Sequence, residues 1–481
     1  MLAGSIASLG SHYVLGLNVL NCQTGDSLAS DQVETESREK VLGALGQAAT
    51  KMRAKLGESL ATIQKYDAPV EQATTSSLEA LRAYDLGLKS WDAEGDEAAI
   101  PFFQRATELD PNFAMAYARL GTAYFNHGHE TREREATKRA YELRDRVTEP
   151  EKLYIESHYL TFVTGQLEKA AQVYELWQKT YPRDGTLYAN LASIYGSLGQ
   201  HQKALGGRLS ALRLEPNDVI NYTGLAGVYI SLERPDQARE VLAQAQVHKL
   251  NSTLVILQSY ELAFLRGDVG EMQRQVGAAA GQPKGEDELL GAQADTEAYH
   301  GRLAKAREFT GRATASLFGQ SGNREAAQDY EAWAALREAE FGNAEQAKKQ
   351  AAAVLARAPA FDLEARTVAA LALGWAGDSA RALATADDLN RQRPLDTLLN
   401  GYWLPTIRAV VEILRGNPSR AIELLQPVST YDLSAQYKAG AKTFCAVYVR
   451  GEAYLTLRQG SQAAAEFQKI LDHPGIVMNT P

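Results

Sequence analysis

From Ser77 onward, apolar residues recur three and four positions apart, with polar residues filling the rest of each turn. Glycine or proline interrupts the stripe at short intervals, so the pattern predicts a succession of short amphipathic helices. The interruptions are themselves periodic. Glu108-Leu-Asp-Pro111, Lys179-Thr-Tyr-Pro182 and Arg213-Leu-Glu-Pro216 close helices with nearly the same residues, and Pro182 and Pro216 lie 34 positions apart. Proline suits that place because it cannot continue a hydrogen-bonded ladder yet fits a helix start.

Within each period the residue types repeat. The frame closed by Pro111 carries Leu86, Gly87, Ala99, Phe103 and Ala106. The frame closed by Pro216 carries Tyr188, Leu191, Tyr195, Ala204 and Ala211, and the next carries Tyr222, Leu225, Tyr229, Ala238, Leu242 and Ala245. A glycine followed five residues on by alanine recurs at Gly165–Ala170, Gly199–Ala204, Gly301–Ala306, Gly342–Ala347, Gly377–Ala382 and Gly416–Ala421, with Gly267–Met272 as a variant. The glycine ends the first helix of a pair in the left-handed conformation, and the alanine lets the second helix cross closely. This period and these residues resemble the tetratricopeptide repeat (TPR). The expected fold is therefore mainly all-α: a right-handed TPR superhelix of about eleven helical hairpins, preceded by a small partial α/β segment, a β-hairpin plus one helix. On this reading residues 1–66 are the α/β segment, 67–76 a linker and 77–250 a regular array. Residues 251–473 are a divergent TPR-like array, with insertions near Gly281–Glu286, Gly319–Asn323 and Asp396–Tyr402, and 474–481 are a truncated tail.

The amino-terminal segment has a different period. His12–Asn21 alternates as a strand does, Cys22–Asp26 reads as a turn and Ser27–Thr35 as the partner strand. Ser37–Leu60 reads as a helix with Ser37 as its N-cap and Val41, Leu45, Ala48 and Met52 on one face. A hairpin and one helix make a poor independent domain, so the segment reads as the end of a larger one. Pro474–Pro481 stops where another first helix is due, and the sequence reads as a piece of a longer chain. The runs Leu2-Ala-Gly-Ser-Ile6, Tyr13-Val-Leu15, Asn21-Cys-Gln-Thr-Gly-Asp26, Lys55-Leu-Gly-Glu-Ser59 and Ala73-Thr-Thr-Ser-Ser-Leu-Glu-Ala-Leu81 resemble the region after the membrane span of bacterial (acidobacterial-type) receptor serine/threonine protein kinases. That resemblance implies the end of a TolB-amino-terminal-like domain followed by a TPR array, with the kinase domain elsewhere in such a chain. Similar carboxyl-terminal modules are attached to membrane-bound transcription regulators and nucleotide cyclases.

Composition narrows the chemistry. The chain has 50 basic and 59 acidic residues, a net charge of −9, and no basic stripe, so nucleic acid is not an expected partner. Two cysteines, Cys22 and Cys445, are too few for a disulfide framework or a cysteine-based metal site. No stretch reaches the roughly 18 apolar residues of a membrane span. The amino terminus lacks the basic stretch of a secretory leader, and Asn21 disfavours a lipoprotein reading of Val19–Cys22. Phosphate-binding glycine loops, the kinase H-R-D and D-F-G signatures, H-E-x-x-H and C-x-x-C do not occur, so the chain reads as no enzyme, with no cofactor and no metal. His127 and His129, with Glu130, come nearest to a metal pair and read as a solvated turn.

The remaining candidate site is the concave groove lined by the first helix of each pair. Repeat register points inward Tyr84, Leu88 and Trp91, then Met115, Thr122 and Phe125 with Arg119 nearby. Ile155, Tyr159 and Phe162 follow, then Ser193 with Asn190 nearby, then Thr223. The early surface is aromatic with little fixed charge, which suits a peptide or helix of a partner protein. The expected function is a protein–protein interaction scaffold, the sensory or docking region of a signalling protein. The alternatives are a fragment of a serine/threonine kinase, or the carboxyl-terminal sensory module of a membrane-bound transcription regulator. A free chain would be cytoplasmic and a receptor's array extracytoplasmic; the sequence names neither the ligand nor the oligomeric state.

Overall fold

Alternating residues of the first 35 positions build one antiparallel sheet, β1 (Leu2–Leu9), β2 (His12–Leu20) and β3 (Ser27–Thr35), in chain order. Leu15 and Leu17 of the central strand are buried against Val41, Ala44, Ala48 and Met52 of α1 (Val41–Lys55). The β2–β3 hairpin follows the alternation of the sequence. Strand β1 is additional, and its Leu2 and Ile6 are 64% and 59% exposed, so no buried face announces it. Helix α1 is shorter than the Ser37–Leu60 expected from spacing. Its N-cap is Lys40, without a side-chain cap bond, and Ser37 contributes its carbonyl to the Lys40 N–H at 3.3 Å instead. Gly57, at φ 90°, lies just past its end.

The computed structural model describes residues 1–10, 12–37, 40–59, 75–250, 252–279, 285–320, 323–358, 362–434 and 444–480. The expected linker 67–76, apart from its last two residues, and the insertions near 281–286 and 319–323, in part, lie outside them. The chain divides into two units, Met1–Val163 and Thr164–Pro481. After α1 the first unit holds α2 (Leu78–Glu94), α3 (Asp96–Leu109), α4 (Ala114–Asn126), α5 (Glu130–Glu142) and α6 (Glu149–His158), which widens into a π turn over Tyr159–Val163. The second begins with α7 (Leu167–Thr180), α8 (Gly185–Ser197), α9 (His201–Leu214), α10 (Val219–Ser231) and α11 (Pro235–Val247). It continues with α12 (Thr253–Leu265), α13 (Val269–Ala279), α14 (Glu286–Tyr299), α15 (Leu303–Gln320), α16 (Arg324–Glu340) and α17 (Ala344–Arg357). The last helices are α18 (Leu363–Trp375), α19 (Ser379–Gln392), α20 (Leu404–Leu414), α21 (Pro418–Leu425), α22 (Cys445–Thr456), α23 (Gly460–Asp472) and the four-residue α24 (Pro474–Val477). Among the described residues ten packed helical pairs follow one another, α2–α3 and α4–α5 in the first unit and α8–α9 through α22–α23 in the second, a mainly all-α fold of TPR type.

The repeat chemistry explains the pairs. Ser77, Asp184, Asp218, Ser252, Asn323, Asp362 and Asp378 cap helix starts by accepting a backbone N–H from the first turn. The turn glycines from Gly165 to Gly416 have positive φ, and Ala170, Ala204, Ala306, Ala347, Ala382 and Ala421 are fully buried. In the first unit a Cβ on Gly87 would stand 2.6 Å from the Phe103 ring, which is itself fully buried and packs on Tyr84 and Trp91. Gly87→Val should therefore destabilise the first unit by about 1–3 kcal/mol through overpacking. A urea midpoint equal to the parent's would contradict this.

In the second unit three early turns bond to segments more than two hundred positions later. Thr397 N–H donates to the Gly165 carbonyl at 2.9 Å, and Leu167 N–H donates to the Thr397 hydroxyl at 3.1 Å. Glu168 accepts from the hydroxyls of Thr397 and, at 2.8 Å, of Tyr431. His201 Nε2 lies 2.8 Å from the Leu433 carbonyl, and Gly475 N–H donates to Glu233 Oε1 at 2.9 Å. Gly165, Gly199 and Glu233 stand 34 residues apart, so the seam repeats with the period of the array. The π turn Leu399–Trp403 falls where an insertion was expected, next to the Asp396–Thr397 end of the seam.

Candidate functional site

The first unit gathers its polar and aromatic groove residues around one arginine. Helix α6 is fixed at its start by a cap: Thr148 donates to Glu151 Oε2 through its N–H at 2.9 Å and its hydroxyl at 2.7 Å. This sets Tyr154 beside α4, where the Arg119 guanidinium lies 4.6 Å from the centre of its ring. Arg119 Nη1 donates to the Tyr154 hydroxyl at 3.4 Å. That hydroxyl lies 2.7 Å from Thr122 Oγ1, whose own proton goes to the Ala118 carbonyl at 3.1 Å, so Tyr154 is the donor. On the other side is Tyr84 of α2, whose phenol is pushed up by burial while the Arg119 charge opposes the shift. Arg119 Nε is buried without a hydrogen-bond partner, and no described carboxylate forms an ion pair with it. Glu151 is near enough to feel its charge but is engaged by Thr148.

Beside this arginine, His158 stacks on Tyr154 at 3.9 Å and its Nδ1 lies 2.8 Å from the Tyr154 carbonyl. Burial holds its imidazole down at about 3, so it is neutral at physiological pH. Phe162 packs on Phe125 with ring centres 4.3 Å apart.

The structure thus brings together Tyr84, Arg119 and Thr122, with Phe125 and Phe162 next to them. Leu88 and Trp91 pack into the cluster around Phe103 and Leu120, and Tyr159 stacks on Tyr141 of α5 at 3.7 Å. Met115 and Ile155 are 5% and 0% exposed, which places them in the packing between helices. Tyr154 and His158 were missed, one position from the Ile155 and Tyr159 that repeat register selects. The signal was present: Tyr154, His158 and Phe162 are aromatic at i, i+4 and i+8. Asn190, Ser193 and Thr223 belong to the second unit. Ser193 accepts from Arg208 Nη2 at 2.7 Å, Thr223 donates to its own helix, and Asn190 is half-buried on α8.

The His127 and His129 rings lie 6.0 Å apart, with His127 Nε2 3.7 Å from Glu97. Among the described residues no group of three His, Cys, Asp or Glu side chains is placed to hold a metal, and no helix is long and apolar enough to cross a membrane.

No family model and no curated protein matches the sequence. Solved structures do. Yeast Tom70 aligns over 82% of this chain and 98% of its own at 12% identity, with a TM-score of 0.44. PilF of Pseudomonas aeruginosa aligns over 45% of this chain and 97% of its own at 19% identity, with a TM-score of 0.31. YrrB, a TPR protein with an unusual peptide-binding site, aligns over 37% and 90% at 18% identity, with a TM-score of 0.24. The chain is similar to each of them in its repeated helical hairpins, and none of them lends it a residue or a partner.

Proposed function

We propose that this protein is a non-catalytic scaffold that holds a peptide or helix of a partner protein, with Arg119 as the anchor in the first unit. The observation that carries the reading is the Arg119 guanidinium, held between Tyr84 and Tyr154 with a buried, unpartnered Nε and no ion-pair partner among the described residues. A buried charge is costly unless something pairs with it, so a partner bearing an acidic side chain gains more here than elsewhere on the wall. Phe125 and Phe162 offer the adjoining apolar surface. A random-peptide selection on the full chain should enrich sequences carrying Asp or Glu. An enriched peptide should bind Arg119→Gln at least about tenfold more weakly, a loss of about 1.4 kcal/mol, in a variant that still melts cooperatively. Selected peptides without an acid, or equal binding to the variant, would remove the anchor. The wider role we propose is the docking half of a signalling receptor, supported by the runs from Leu2 to Leu81 that resemble receptor serine/threonine kinases. Sequencing the gene upstream of Met1 tests it: an in-frame kinase domain and membrane span support it, and a winged-helix domain there would favour the transcription-regulator reading.

A further inference from the structure

Residues 475–479 lie in the second unit as a bound peptide would. Gly475 sits so close to the last turn of α10 that a Cβ there would collide with the Ile230 carbonyl, and its N–H donates to Glu233. Ile476 is buried with Phe444 and Val447. Met478 then takes φ +54° and ψ −130°, a positive-φ conformation that non-glycine residues rarely adopt. This turn delivers Asn479, which is fully buried, onto α14. Its Nδ2 donates to the Ala292 carbonyl at 2.8 Å and to Thr296 Oγ1 at 2.9 Å. Thr296 Oγ1 also accepts from the Tyr260 hydroxyl of α12 at 3.0 Å.

A helix has already spent its backbone hydrogen bonds on itself. Its wall offers a passing chain only side chains and spare carbonyl lone pairs. An amide nitrogen can use both, as Asn479 does. A carboxylate in the same place would face the Ala292 carbonyl oxygen and have no proton to give. We propose that the wall made by Ile230, Glu233, Tyr260, Ala292 and Thr296 is a recognition site for peptides of the form Gly-x-x-x-Asn, filled in cis by residues 475–479, and that a partner peptide of that chemistry enters by displacing this segment. The site is separate from the Arg119 cluster, and either proposal stands without the other.

The test uses the full chain and a fluorescent peptide spanning 473–481, blocked at both ends. The native chain should not take it up. Asn479→Asp and Gly475→Val, which release the segment by different means, should bind it saturably. The same peptide with Asp for Asn479 should bind those variants at least about tenfold more weakly. Equal binding to native and variant chains, no binding to either variant, or indifference to the Asn-to-Asp change overturns the proposal. Loss of the melting transition in both variants overturns it too, because a displaceable occupant leaves its wall folded.

Discussion

Replacing Arg450 with methionine is expected to destabilise the second unit by about 3–5 kcal/mol, the cost of stripping one partner from a buried ion network. Arg450 is 4% exposed. Its Nη2 reaches Asp432 at 2.5 Å and Glu466 at 2.9 Å, and Nη1 donates to the Leu425 carbonyl at 3.4 Å. Burial pushes the Asp432 carboxyl up, and Arg450 is the main group opposing that shift. Without it, Lys469, 3.0 Å from Glu466 and 3.8 Å from Asp432, is left to answer two carboxylates. Asp432 precedes Leu433, whose carbonyl meets His201, so the same substitution loosens the seam. Urea melts of Arg450→Met, alone and combined with Asp432→Asn, check the account. The second change should restore part of the loss, and a single-variant cost under about 1 kcal/mol would contradict it.

The second large effect is acid sensitivity of the first unit through His158. Folded, its pKa is held at about 3 by burial, against the ordinary 6.5 of the unfolded chain. Above 6.5 neither form is protonated and the group has no pH effect. As pH falls below 6.5 the unfolded chain gains a proton that the folded one refuses, so stability drops steadily toward pH 3, by as much as ~4 kcal/mol at the bottom of that window. His158→Phe keeps a ring on Tyr154 and removes the titration. The difference in unfolding free energy between parent and variant should therefore slope between pH 6.5 and 4 and be level above pH 7. A level difference throughout would show that His158 is hydrated.

The array was legible because its markers are local. A glycine turn, a crossing alanine and a closing proline are each decided by backbone geometry within one hairpin, and Gly199 with Ala204 or Gly377 with Ala382 behave as their spacing implies. The groove was only partly legible. Inward and core positions on a first helix differ by one residue, which is why Ile155 was selected and Tyr154 was not. Strand β1 left no trace because its Leu2 and Ile6 face solvent. The contacts of Thr397, Leu433 and Asn479 were invisible for another reason: their partners lie 183 to 232 positions away, and no period within a single repeat encodes them.

Those distant bonds change how the second unit comes apart and goes together. An array whose repeats touch only their neighbours can fray from either end and fold piecemeal. Here Gly165, Glu168, His201 and Glu233 are each tied to residues about 230 to 260 positions ahead. A handful of its bonds thus close loops of more than two hundred residues, in a unit whose other helix contacts are mostly between neighbours. Its helices can form quickly, but the native state waits on closing these long loops, and under mechanical load it should yield in a single rip rather than a ladder of small steps.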